Sequence, residues 1–131
     1  EESFSHLSDN EKSHVFQQRA LEYLQHGNEL AGQGRHREAI AEWGRAATYR
    51  PDSNVPWNNM ANSFSALKEP DEALRVARKA FAIHTDHLSS TTLGNTLRGK
   101  AQKSKLEAGE LYEEAEHVML AGMHAVKISG E

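Results

Sequence analysis

The chain has 131 residues, enough for one domain with a modest core and too few for two independent ones. It is 37% hydrophobic and 26% charged, with a net charge of -4 and its Lys and Arg scattered among acids, which argues against a nucleic-acid groove or a basic membrane-binding surface. It has no cysteine, hence no disulfide, zinc ribbon or thiol nucleophile, and no stretch approaches the ~18 apolar residues of a membrane span.

Residues 1–8 read as a disordered segment, and 9–131 as one folded domain. Ser8-x-x-Glu11 has the form of a capping box, and Val15, Phe16, Arg19 and Ala20 continue it into a first helix over Asp9 to Gln33. Tyr23, Gly27, Leu30 and Gly34 keep helical spacing until Gly32, Gly34 and Arg35 interrupt it. Ala39, Trp43, Ala46 and Ala47 mark a second helix, ended by Pro51-Asp52-Ser53. Trp57, Met60, Ala61 and Phe64 mark a third, and Lys68-Glu69-Pro70-Asp71 breaks it from a fourth carrying Ala73, Ala77 and Ala80, with Pro70 at a helix start. Leu93-Gly94-x-x-Leu97 begins a fifth helix, and Gly109 to Ala115 supplies a turn and the start of a sixth. Lys100 to Leu106 are good helix formers and read as about two further turns on the fifth. The alternative is one unbroken helix from Ser90 to Ile128, because Ala101, Ala108, Leu111, Ala115 and Val118 also keep helical spacing.

The chain matches itself at an offset of 34: Asn28 falls on Asn62, Glu38 on Glu72, Ala39 on Ala73 and Ala46 on Ala80. Tyr23 with Trp57, Leu30 with Phe64 and Ile40 with Leu74 add similar pairs. The units run over about 20–53, 54–87 and, degenerate, 88–128. Degeneracy shows as length: Phe64 to Ala73 spans 9 residues and Leu97 to Ala115 spans 18. Gly27 against Ala39 and Ala46, and Ala61 against Ala73 and Ala80, leave room for large neighbours that Tyr23, Trp43, Trp57, Phe64 and Phe81 can supply.

The run Tyr23-x-x-His26-Gly27-x-x-Leu30, Ala39-x-x-x-Trp43-x-x-Ala46 and Pro51 resembles the tetratricopeptide repeat, a 34-residue helix pair with this pattern. The second unit repeats it with Trp57, Ala61, Phe64, Ala73, Ala77 and Ala80, and departs from it where Thr85 replaces the closing proline. The resemblance implies an all-α, right-handed α-solenoid of three helix hairpins with the first and fifth helices extended. It implies further that first helices line a concave groove that binds a peptide or partner helix, making the chain a protein–protein interaction scaffold or adaptor and not an enzyme. Asn28, Asn62 and Asn95 recur at one place on successive first helices, and an amide there offers donors and an acceptor to a peptide backbone. Leu24, Gln25, Asn58, Asn59 and Ser65 are expected beside them in a polar, nearly uncharged lining. Repeats that grip the C-terminal carboxylate of chaperones carry a lysine where this chain has Leu24, so that capture is not implied.

A second interface is expected on the last helix at Met119, Met123 and Val126, which with Val118, Leu120 and Ile128 exceed what one buried face needs. The alternative function is homo-oligomerisation through exposed terminal helices; a third is an accessory domain of a larger protein. Of the eight histidines, His84 and His87 with Asp86, and His117 with His124, lie near one another, but no Cys or H-E-x-x-H supports them. No metal and no cofactor is expected, and no phosphate loop or G-x-S-x-G is present. A cytoplasmic protein is expected, or an exported one after signal removal, since the chain opens on Glu1-Glu2-Ser3.

Overall fold

A computed structural model describes the backbone of residues 4–103 and 108–129, and the side chains of 4–102 and 112–123. The described residues form six helices and no strand: α1 (Asp9–Gly32), α2 (His36–Tyr49), α3 (Val55–Ala66), α4 (Pro70–Ile83), α5 (His87–Lys103) and α6 (Ala108–Ser129). α1 packs on α2, α3 on α4 and α5 on α6 as three hairpins, and α2–α3 and α4–α5 contacts stack them in chain order. α5 and α6 pack along each other, so they form a hairpin and not one unbroken helix. Leu106 lies outside the described residues, so the proposed extra turns end, for the described part, at Lys103.

Local chemistry sets where each helix starts and stops. At α1 the Ser8 N–H donates to Glu11 Oε1 at 3.0 Å and the Glu11 N–H to Ser8 Oγ at 3.2 Å, a reciprocal cap that holds the Glu11 carboxyl below its ordinary value. Residues 4–8, where the sequence led us to expect no order, form a turn (Leu7 N–H to Phe4 O, 3.1 Å), and the Phe4 ring meets Phe16 edge-on at 5.3 Å. The ends of α1 and α3 are copies of each other. Gly34 has φ 79° and Lys68 φ 61°, one residue beyond each helix's last cap. Around them Arg35 N–H reaches back to Leu30 O and Glu69 N–H to Phe64 O, both at 2.9 Å, the six-residue closure that a left-handed residue permits.

The core is built on small residues. Ala39, Ala61, Ala73, Ala77 and Ala80 are wholly buried, with Leu97 and Val76 the largest apolar side chains to be fully enclosed. In the first hairpin the Trp43 indole lies directly over Gly27, where an added Cβ would come within 2.5 Å of Nε1. The third hairpin repeats this contact: Met119 lies over Gly94, with Cγ and Sδ 3.0 Å from where a Cβ would stand. Ala115-x-x-x-Met119-x-x-Gly122 therefore takes the places of Ala39-x-x-x-Trp43-x-x-Ala46. Among the described residues, the ion pairs Arg37–Glu69, Arg78–Glu114 and Lys100–Asp71 join successive hairpins.

Candidate functional site: the seam between the first helices

α1 and α3 meet along a seam that begins with Trp43. Its indole N–H is shared between Leu24 O at 3.2 Å and Asn28 Oδ1 at 3.1 Å, and Asn28 Oδ1 also accepts from Asn59 Nδ2 at 3.2 Å. Both lone pairs of the Asn28 oxygen are thus occupied, and its NH2 group remains to meet a ligand. Below this bridge His36 Nδ1 lies 3.0 Å from Ser63 Oγ. A pocket of about 230 Å³ opens here, lined by Asn28, Ala31, Asn59 and Asn62 with His36, Trp43 and Ser63 behind them. Asn62 and Asn95 are exposed and neither side chain hydrogen-bonds to another described residue, so their side-chain amides are free to act outward. The ladder therefore holds two kinds of asparagine, a bridging pair (Asn28, Asn59) and an unengaged pair (Asn62, Asn95).

Asn58 is a correction to the expected lining. It is 0% exposed, and its Nδ2 donates to Asn54 O at 3.0 Å one turn back. The reason is rotational: Asn59 and Asn62, three residues apart, share a helix face, whereas Asn58 falls about 100° away on the face that buries Ala61 and Phe64. Gln25 and Ser65 are exposed, and Leu24 is half-buried against the core.

One turn further toward the start of both helices a second pocket of about 140 Å³ follows the same seam. Ala20, Leu21 and Leu24 of α1 face Pro56 of α3 and Ala46 of α2, with Gln17, Arg50 and Ser53 at its rim. Leu21 is 53% exposed. Arg50 is turned onto Asp52, with Nε 3.1 Å from Oδ1, and this pairing draws the Asp52 carboxyl below its ordinary value. Among the described residues that line these two pockets, His36 is the only other titratable side chain.

The His84, Asp86 and His87 group is a helix start. Asp86 caps α5: Ser89 N–H donates to Asp86 Oδ1 at 2.9 Å, and Asp86 N–H donates to Ser89 Oγ at 3.1 Å. Burial pushes the Asp86 carboxyl up, but these bonds, that from Asn54 Nδ2 at 3.1 Å and the nearby His84 outweigh it and hold the carboxyl below its ordinary value. Asn54 also donates to the O of His84, the C-cap of α4, at 3.0 Å, and through Asp86 it ties the second hairpin to the third. Among the described residues no three His, Cys, Asp or Glu side chains are placed to share a metal ion. Sequence reading missed both Asn54 and this cap; Asp86-x-x-Ser89 ahead of a helical run was the available signal.

On α6, Met119 is half-buried over Gly94 and is a packing residue of the third hairpin, which removes it from the expected second interface. Met123 is 63%, Leu120 57% and Tyr112 43% exposed on one outer face. The side chains of His124, Val126 and Ile128 lie outside the described residues. No helix among the described residues is long and apolar enough to cross a membrane.

With this architecture in hand, the chain has the fold of a tetratricopeptide-repeat domain. It superposes on the first such domain of Spaghetti (RPAP3), solved bound to the HSP90 peptide SRMEEVD, with a TM-score of 0.63 and 24% identity over 87% of this chain and 93% of that one. On the crystal structure of the Sgt2 domain from Aspergillus fumigatus the TM-score is 0.60, at 22% identity over 84% of this chain and 78% of that one. At these identities the likeness speaks for the fold. No protein-family profile and no curated protein sequence matches the chain.

Proposed function

We propose that the chain is a protein-interaction module that holds an extended segment of another protein along the α1–α3–α5 seam. The observation that carries this is a pair of exposed, unengaged side-chain amides: Asn62, in the wall of the pocket that the Asn28–Asn59 bridge crosses, and Asn95, on α5. Each free amide presents two donors and an acceptor, the set that a peptide backbone needs. The fold likeness to a domain that carries an HSP90 peptide is consistent with a groove role. It does not extend to that peptide's acidic chemistry, since Leu24, half-buried here, stands where a clamp would place a lysine. The role proposed is binding. The test is retention of a partner by wild type against Asn62→Ala/Asn95→Ala. Both positions are exposed, so helicity and melting should hold while binding falls; a partner kept equally well by the double variant would refute the groove.

A second reading, self-association, has one observation in its favour. Met123 takes the place that buried Ala47 and part-buried Phe81 hold in the earlier hairpins, yet Met123 is 63% exposed. Light scattering on wild type and Leu120→Glu/Met123→Glu decides it. A dimer that dissociates in the variant supports self-association, and a wild-type monomer at high concentration removes it.

A further inference from the structure

The 140 Å³ pocket is separate from the amide ladder and lies one turn from it, and its chemistry is different. Leu24 and Asn28 are one turn apart on α1, and Pro56 and Asn59 nearly so on α3, so the apolar pocket begins about 5 Å from the amides. Its walls are aliphatic: Ala20, Leu21, Leu24, Ala46 and Pro56. A cavity of this size is close to one that takes up a benzene-sized molecule, and so suits one Leu, Ile or Met side chain. Leu21 is left 53% exposed in its wall, apolar surface that an incoming side chain would cover.

Charge defines the rest of the ligand. Arg50, the cation at the rim, is already paired with Asp52, and the ladder beyond it is amides, Ala31 and the His36–Ser63 contact. The cations that join the hairpins, Arg37, Arg78 and Lys100, are each committed to a carboxylate. Among the described residues the walls of these two pockets hold no free cation to await an acidic peptide; exposed Arg98, one turn beyond Asn95 on α5, lines neither. An extended chain advances ~3.3 Å per residue, so a side chain seated in the pocket places the backbone of its neighbours one to two residues on against Asn28, Asn59 and Asn62.

From this we infer that the α1–α3 part of the seam selects an extended, internally located, uncharged peptide segment anchored by a single aliphatic side chain between Leu21, Leu24 and Pro56, and not an acidic chain terminus. The inference rests on the groove reading above and adds the ligand's chemistry to it.

The probe is a library of random peptides of roughly 12 residues displayed with both ends fused, selected on the 131-residue chain. Enriched peptides should share one Leu, Ile or Met, carry few Asp or Glu, and bind with affinity that changes less than about twofold from roughly 50 to 500 mM salt. Leu21→Asp, at an exposed position, should weaken them about tenfold or more, Leu21→Met should restore them, and Asn62→Ala should weaken them too. Peptides that depend on Asn62 but ignore Leu21→Asp, or that are acidic and steeply salt-dependent, overturn the aliphatic anchor and leave the groove standing. Peptides that ignore both substitutions, or a library from which nothing is enriched, overturn the anchor and the groove together.

Discussion

Substituting Gly27 by Ala tests the packing on which the seam is built. The new Cβ would stand 2.5 Å from Trp43 Nε1, 2.6 Å from Cδ1 and 2.9 Å from Cε2. Carbon contacts are comfortable at about 3.5–4.0 Å, so the indole must retreat by about 1 Å. Trp43 is buried, and its N–H bonds to Leu24 O and Asn28 Oδ1 are already 3.2 and 3.1 Å long. The retreat carries one or both beyond hydrogen-bonding distance. Overpacking costs about 1–3 kcal/mol and a lost bond about 0.5–1.5 kcal/mol, against about 1 kcal/mol returned by alanine's helix propensity. The net expectation is a loss of about 2 kcal/mol, or a urea midpoint lower by about 1 M, followed by tryptophan fluorescence and circular dichroism together. Gly99→Ala is the control: it lies within α5 with nothing within 4 Å of its Cβ position, and should gain about 0.5–1 kcal/mol. If Gly27→Ala gains stability as Gly99→Ala does, the indole is not seated on Gly27 and the account of the first hairpin fails.

Lys68→Gly should stabilise the chain by about 0.5–1 kcal/mol in thermal or urea unfolding, because Lys68 occupies the left-handed region at φ 61° that Gly34 fills in the first hairpin. Asn28→Ala should cost about 1–2 kcal/mol by orphaning Asn59 and half of Trp43's N–H, whereas Asn62→Ala should stay within about 0.5 kcal/mol of wild type. Asp86→Ala should cost about 1–2 kcal/mol near neutral pH by removing the α5 cap and the partner of Asn54. The folded Asp86 carboxyl titrates below its unfolded value. Its contribution is therefore complete above about pH 4 and is lost as pH falls through the folded value, so the two chains' unfolding free energies should converge in acid. A constant gap at all pH values would contradict this.

Much of the fold was legible because periodicity and register are properties of the chain itself. The 34-residue offset placed Gly34 and Lys68 at equivalent helix ends, and the Gly27 and Ala39 spacing anticipated a large side chain between them, which is Trp43. The third hairpin was harder to place, because the nine residues by which Leu97–Ala115 exceeds Phe64–Ala73 displaced Met119 from the register that would have revealed it as Trp43's counterpart. The site was less legible than the fold. Four asparagines near one another in α3 and its approach look alike in sequence, yet Asn54 stitches hairpins, Asn58 is sealed inside, Asn59 bridges to α1, and Asn62 is free. Those fates depend on which neighbour arrives at each 100° of rotation, and that is a tertiary fact. The aliphatic pocket was invisible for the same reason: Leu21 and Pro56 are 35 residues apart, and neither carries a motif.

The most direct test is to map a bound peptide by backbone and side-chain amide resonances. The groove account predicts that the largest shifts fall on the Asn59, Asn62 and Asn95 side-chain amides and on the backbone of residues 21–31, with α6 unaffected. Shifts confined to the Tyr112–Met123 face of α6, with the asparagine amides unmoved, would contradict it.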